Sequence, residues 1–324
     1  MKKRPVKKIA VLLFVVICLS ISLTALADKL VFVVPMMVTS KPADGAKAGV
    51  TDNASSFLQR ICDIIKKKTG DDAECAVVNK PNDAMLSPAN TKKYIQAIEN
   101  KNYAAMYISG NDYYALTASG YDKTIPAVQI SFKKKTADQI CIYARSTDNI
   151  KTVQDLKGKT WAGSYYYMGT RYILYKNGVD MPLKKFFGKT VLEPDDFWVN
   201  SADMLVEGKT DAFTGALEEE LMGRTRDTKK YAVVKPVLCV PYRSTHMIAF
   251  NKENMSKEKM VQIRNILLNA HKDKDFGTFQ FIFTIIDGHF VPFDENAFKL
   301  SKEYVDTYTN RGWLKEQTAF IAGK

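Results

Sequence analysis

Residues 150–162 read IKTVQDLKGKTWA, and this stretch indicates how the whole chain is built. Its polar first half ends at Gly158, and the apolar residues after it predict a short buried strand over 160–163. A tyrosine-rich turn follows, and the spacing of apolar residues after that turn predicts a helix over 169–176. A strand, a turn and a helix in this order form the repeating unit of α/β folds.

The same alternation runs through the rest of the chain. Short apolar runs predict further strands at 30–34 (stopped by Pro35), 74–78, 103–108, 128–132, 139–144, 191–192, 212–214, 233–240 and 247–250. Helical spacing of apolar residues predicts helices from a cap at Asp52 or Asn53 to Gly70, and at 91–99, 202–207 and 257–269. The fold class is therefore α/β, with further helices at the C-terminus.

The N-terminal segment has the pattern of a secretory signal peptide. A run of basic residues precedes an uncharged apolar stretch over 9–23, and Ala25-Leu26-Ala27 is an A-x-A cleavage site. The prediction is a signal peptide over 1–27 and a mature chain that begins at Asp28, in the periplasm or another extracytoplasmic compartment. The alternative is an N-terminal membrane anchor, but the apolar stretch is shorter than the roughly 20 residues that a spanning helix needs.

Length and charge limit the partners. The 324 residues are enough for two compact lobes, and the formal net charge is +12, of which five positive charges lie in the predicted signal peptide. The basic runs 66–68 and 133–135 contain no aromatic residues, so we expect no nucleic-acid partner. The remaining positive charge either attracts anions or forms a solvated surface.

The sequence contains no pattern for a metal, a cofactor or catalysis. The three histidines, at 246, 271 and 289, do not have ligand spacing, and the cysteines fit no zinc pattern. Gly-Lys-Thr occurs three times, but each copy lacks the earlier glycine that a phosphate-binding loop requires. We expect a protein that is not an enzyme and has neither metal nor cofactor.

Several ordered segments resemble one family. Residues 150–162 resemble the start of the second lobe in type 2 periplasmic binding proteins, and the chain looks like the phosphate/phosphite/phosphonate-binding family of ABC importers. The segments FVVP at 32–35, FFGK at 186–189 and EGKTDA at 207–212 agree in order. The resemblance implies two lobes joined by a two-strand hinge, with a ligand cleft between them. Lobe one is predicted to hold 28–142 and 245–324, and lobe two 143–244.

The family resemblance also implies a function. A monomer without catalytic activity would close on a small ligand and pass it to a membrane permease that a cytoplasmic ATPase drives. The alternative is a lobe pair that presents its ligand to a membrane receptor as a sensor.

The first predicted cleft loop lies at 109–114. Ser109 offers a hydroxyl, Gly110 lets the backbone approach a ligand, and Asp112 is either a ligand contact or a helix cap. Tyr113, with Tyr114 beside it, lines the cleft or lies in the core.

The second predicted loop differs most from the family pattern. Its candidate ligand contacts are Ser164, Tyr165, Tyr166, Tyr167, Met168, Gly169 and Thr170. Where the family has short hydroxyl residues, this chain has phenols and a thioether, and only the glycine remains. We interpret the tyrosines as an aromatic wall that stacks on a ring or holds a cationic amine. The alternative is loop packing against the other lobe.

The last candidates are Thr214, Glu218 and Arg243. Thr214 ends a predicted strand, and Glu218 belongs to an acidic run that either contacts an amine or forms the first turn of a helix. Arg243 either grips a carboxylate or phosphonate or lies on the surface. The combined pattern favours a phosphonate-like or zwitterionic ligand, with a purely cationic amine as the alternative.

Four cysteines remain after the signal peptide. An oxidising compartment permits disulfides, but four small buried side chains are the simpler interpretation. Cys141 and Cys239 lie on the two strands assigned to the lobe crossings, which run close together in the resembled fold. A hinge disulfide between them is the competing hypothesis.

Overall fold

The computed structural model describes residues 29–36, 49–79, 88–132, 138–163, 166–191, 199–215, 229–243, 246–276 and 288–322. The predicted signal peptide lies outside these residues.

The described residues form eleven strands and nine α-helices. The strands are β1 (Lys29–Met36), β2 (Asp72–Asn79), β3 (Ala105–Ser109), β4 (Thr124–Phe132), β5 (Asp138–Arg145), β6 (Thr160–Ala162), β7 (Lys189–Val191), β8 (Ala212–Gly215), β9 (Val234–Arg243), β10 (His246–Asn251) and β11 (Gly288–Pro292). The helices are α1 (Gly49–Thr69), α2 (Pro88–Glu99), α3 (Gly110–Ala118), α4 (Tyr167–Lys176), α5 (Leu183–Phe186), α6 (Val199–Val206), α7 (Lys257–Leu268), α8 (Lys299–Asn310) and α9 (Trp313–Ile321).

The first sheet has six strands in the order β11-β4-β10-β3-β1-β2. Alternate residues of β1 point to opposite faces, so Leu30 and Phe32 join a core with α1 and α7, while Val31 and Val33 join one with α2 and α3. Both faces are covered by helices, which explains the continuous apolar run of β1.

The second sheet has five strands in the order β7-β6-β8-β5-β9. The chain enters this sheet after β4 and returns to the first sheet at β10. The strands that begin and end the visit, β5 and β9, pair with each other in antiparallel fashion. The predicted α/β class and the two crossings between two sheets are confirmed.

The C-terminal helices α8 and α9 pack on the core of the second sheet. Buried residues of both helices, among them Val305, Trp313 and Phe320, belong to the same cluster as Trp161 of β6. The predicted lobe boundaries stay a prediction. This packing favours a second lobe made of 138–243 together with 299–321.

Two details of the predicted elements are wrong. Pro35 does not stop β1, because β1 stays paired with β2 as far as Met36. The pairing of β1 with β3 includes Phe32 and Val33 but not Pro35. Proline is tolerated at such a position because its missing N–H is not needed for a second neighbouring strand. Asp52 and Asn53 do not cap a helix, because α1 begins at Gly49 and includes them.

The four described cysteines form two disulfides. Cys62 of α1 is bonded to Cys75 of β2, and Cys141 of β5 is bonded to Cys239, its direct partner in β9. The interpretation as four small unpaired side chains is therefore wrong, and the Cys141–Cys239 pairing is confirmed. The reason is tertiary: the Cα atoms of the two pairs lie 6.0 Å and 4.1 Å apart.

Within the described part of the chain, we find no helix of sufficient length and apolarity to cross a bilayer.

The disulfides give a direct prediction. Denatured mature protein should show almost no reactive thiol before reduction and four thiols per chain afterwards, because both pairs are bonded. Thiol titration in denaturant, with and without a reductant, measures this. Two free thiols before reduction would mean that one of the bonds does not form.

Candidate functional site

Three strand ends carry the predicted site. Helix α3 starts directly after the carboxyl end of β3, and four residues separate the end of β6 from the start of α4. Thr214 lies near the carboxyl end of β8, next to β6 in the second sheet. In open α/β sheets, ligands bind outside the carboxyl ends of the strands, where helix N-termini present free N–H groups.

The first turn of α3 is organised by Ser109. Its hydroxyl accepts a hydrogen bond from the backbone N–H of Asp112 at 3.2 Å, which makes Ser109 the N-cap. Asp112 is therefore not the cap, because it is the third residue of the helix and only its backbone is capped. Its carboxylate stands in the first turn, where the helix dipole favours a negative charge.

Gly110 approaches another helix closely. A Cβ atom at this position would stand 2.6 Å from Ser301 Oγ and 2.7 Å from a ring carbon of Phe298. The missing side chain therefore serves the contact between α3 and the start of α8. The role in ligand approach stays a prediction.

Tyr113 and Tyr114 are both half-buried and touch edge to face, with ring centroids 5.2 Å apart. Tyr113 packs on the first-sheet core, whereas Tyr114 packs on the cores of both sheets. Burial raises the pKa of Tyr114 to about 12. Tyr114 therefore lies where the two halves of the molecule meet.

Two oxygens near this turn are buried without a hydrogen-bond partner. They are Tyr94 Oη on α2 and Asn111 Oδ1 in the first turn of α3. Burial raises the pKa of Tyr94 well above its usual value, and the negative charge of Asp112 raises it further. Because buried polar atoms are normally paired, the first turn of α3 has unused hydrogen-bonding capacity.

Sequence reasoning missed Tyr94 and Tyr308. Burial and then the charge of Asp112 raise the pKa of Tyr308 on α8. Its ring touches Tyr304, whose ring in turn touches Tyr172 of α4 and Tyr242 of β9. The spacing of four residues between Tyr304 and Tyr308 was the only signal that they share a helix face.

The predicted aromatic wall lies mostly in the core. Tyr166, Tyr167 and Met168 are buried in the second-sheet cluster. The ring of Tyr167 packs against Phe320 at 4.8 Å, and its hydroxyl donates to Glu316, so α9 covers this residue. Tyr166 and Tyr167 therefore pack within the core of the second sheet, and their part in the ligand site stays a prediction. Ser164 and Tyr165 lie outside the described residues.

Thr170 and Thr214 are fully buried and hydrogen-bonded to each other. Their hydroxyl oxygens are 2.8 Å apart, Trp161 Nε1 donates to Thr214 at 2.9 Å, and Thr170 donates to the carbonyl of Tyr166. The structure thus brings three predicted site residues together in a buried chain of hydrogen bonds that ties α4 to β6 and β8.

Gly169 is a point of close packing. A Cβ atom there would stand 2.0 Å from Ile140 Cδ1, and Ile140 is fully buried in β5. The family-like glycine therefore lets α4 lie directly on the sheet.

The remaining candidates are placed only in part. Glu218 lies outside the described residues, and Arg243 is the last residue of β9. His246 stacks on Tyr107 with ring centroids 5.1 Å apart.

Comparisons with known proteins bear on the fold. No family model and no curated protein sequence matches the chain. Among solved structures, it is similar to PhnD1 from Prochlorococcus marinus in complex with methylphosphonate, with a TM-score of 0.61, 12% identity and coverage of 88% of this chain and 99% of that one. It is also similar to a binding protein component of an ABC phosphonate transporter from Pseudomonas aeruginosa (0.57, 12%, 91% and 99%). The periplasmic aliphatic sulphonate binding protein SsuA from Escherichia coli follows (0.50, 12%, 89% and 94%).

The chain has the two-lobed fold of periplasmic binding proteins. At these identities the likeness establishes the fold alone. The binding-protein fold explains why the chain crosses twice between its sheets, because such crossings form the hinge of a cleft.

The contact at Gly169 gives a stability prediction. Gly169→Ala should lower the free energy of unfolding by about 1–2 kcal/mol, since overpacking outweighs the gain in helix propensity. Ile140→Val removes the clashing methyl group and should cost about 1 kcal/mol alone. In chemical denaturation, the double variant should lose less free energy of unfolding than the two single variants lose when their losses are added. Additive losses of unfolding free energy would show that α4 can shift away from β5 and relieve the contact without destabilising the protein.

Proposed function

We propose that this chain is the extracytoplasmic substrate-binding protein of an ABC importer. It captures a small zwitterion, a phosphonate-like ligand that bears an amine, by hinge closure and passes it to a permease driven by a cytoplasmic ATPase. The protein acts as a monomer without catalysis. Support comes from the fold, which solved binding proteins for phosphonate and sulphonate share.

One observation carries the ligand proposal: buried oxygen atoms without partners lie around the first turn of α3. Tyr94 Oη and Asn111 Oδ1 lack partners, and the negative charge of Asp112 acts on the phenol of Tyr94. An amide oxygen and a carboxylate only accept hydrogen bonds, so this set suits a donor with positive charge. An ammonium group supplies three N–H donors and would satisfy it.

The N-terminus of α4 has the opposite character. Its first turn contains no acidic residue, whereas α3 has Asp112 in its first turn. The free N–H groups and positive dipole end of α4 are therefore not neutralised locally and favour an oxyanion. We propose that the ligand's amine faces α3 and its oxyanion faces α4.

Ligand-induced stabilisation tests the function. A ligand that binds only the folded state adds about 2.7 kcal/mol of stability at about 100 times its Kd. The mature protein should therefore melt at a higher temperature with an aminoalkyl phosphonate and shift less with methylphosphonate, phosphate or an alkyl sulphonate. Calorimetric titration then gives the affinities. A shift with quaternary amines but with no phosphorus or sulphur oxyanion would overturn the zwitterion proposal.

Two variants test the site itself. Tyr94→Phe and Asp112→Asn should each weaken binding of the aminoalkyl phosphonate about tenfold or more, because the first removes a hydrogen-bond acceptor and the second removes the negative charge that faces the ammonium group. Binding of methylphosphonate, which has no amine, should change little. Tyr121→Phe is the matched control, because its hydroxyl pairs with Tyr103 at 2.6 Å within the same half of the molecule. Equal losses of affinity for the aminoalkyl phosphonate in all three variants would mean that the amine binds elsewhere.

A further inference from the structure

Five lysines gather at one end of the second sheet. They stand on two segments, residues 157–159 before β6 and residues 184–189 from α5 to the start of β7, and we call them the lysine patch. Its members are Lys157, Lys159, Lys184, Lys185 and Lys189.

Backbone contacts hold the two segments of the lysine patch together. The N–H of Gly158 donates to the carbonyl of Phe186 at 2.9 Å, and the N–H of Gly188 donates to the carbonyl of Lys159 at 3.0 Å. A Cβ atom on Gly188 would stand 2.3 Å from the carbonyl oxygen of Gly158, so the approach requires glycine. The positive charges are therefore fixed side by side by the fold.

Among the described residues, four of the five lysines in the patch have no carboxylate partner. Within the part of the chain that the structure describes, Lys157, Lys159, Lys185 and Lys189 make no ion pair. The acids at this end have other partners: Asp211 accepts from the N–H of Thr160, and Asp155 accepts from the N–H groups of Lys151 and Thr152. Glu207 pairs with Lys209.

The patch faces away from the proposed ligand site. Lys159 and Lys189 stand at the amino ends of the parallel strands β6 and β7, whereas α4 begins beyond the carboxyl end of β6. A partner at the lysine patch and a ligand at the cleft can therefore bind at the same time.

We propose that the lysine patch binds the surface of an anionic lipid bilayer. The patch contains lysine and no arginine, and its aromatic neighbours Phe186 and Phe187 are buried. Protein interfaces are depleted of lysine and built around buried aromatic and arginine anchors, which this surface lacks. Flexible lysine side chains instead suit a fluid layer of negative headgroups, where each contributes roughly a fivefold gain in partitioning.

Vesicle binding tests the lysine patch. The mature protein should co-sediment with phosphatidylcholine vesicles that contain about 30% phosphatidylglycerol and not with pure phosphatidylcholine vesicles. Binding should fall steeply as salt is raised above about 0.1 M, because the Debye length is then about 10 Å or less. Replacing Lys157, Lys159, Lys185 and Lys189 by glutamine should weaken partitioning by about 600-fold, since four fivefold effects multiply.

A charge-matched control separates the patch from net charge. Glutamine at Lys92, Lys93, Lys101 and Lys257, four exposed lysines of the other half, removes the same charge and should leave most of the binding intact. Equal losses in both variants would overturn the patch as a site. No binding of the wild-type protein to anionic vesicles would overturn the lipid proposal and point to an acidic protein as the partner. The ligand-induced shift in melting temperature should be the same in both variants, so failure here is distinguishable from failure of the proposed function.

Discussion

The buried guanidinium of Arg171 is the interaction on which the second half of the molecule depends. It donates to Glu316 of α9 at 3.0 Å and to Asp180 at 3.2 Å, reaches the carbonyl of Met181, and lies over the ring of Trp313. Only 2% of the side chain is exposed. A buried charge is tolerated only when it is fully paired, and loss of one partner typically costs about 3–5 kcal/mol. The C-terminal helix and α4 are therefore stable only together.

This coupling has consequences for the candidate site. Because α9 is fixed to α4, the connected helix α8 is held against both α4 and α3. Helix α8 then brings Tyr304 to Tyr172 and Tyr308 to the charge of Asp112. The close contact of Gly110 with Ser301 belongs to the same arrangement. The last part of the chain thus links the two helix N-termini that the proposed ligand would join.

The order of strands and helices was predictable, because buried strands and amphipathic helices carry their periodicity in local sequence. The roles of Tyr166 and Tyr167 were not, since Phe320 and Glu316, which cover Tyr167, lie about 150 residues further along the chain. The unpaired oxygens of Tyr94 and Asn111 also depend on which helices meet around them. Glycines illustrate the same limit: the sequence predicts Gly110 and Gly169 as ligand contacts, and the structure shows close packing at both positions.

Strand direction explains how one domain can present two different surfaces. In a parallel pair such as β6 and β7, all carboxyl ends lie at one edge and all amino ends at the other. The helices that follow the strands begin at the carboxyl edge, where their free N–H groups attract an oxyanion. The loops that enter the strands lie at the amino edge, and here they carry lysines. Each edge can therefore attract anions, through different groups. The helix N–H groups at the carboxyl edge suit a small enclosed anion, and the lysine ammonium groups at the amino edge suit an extended anionic surface.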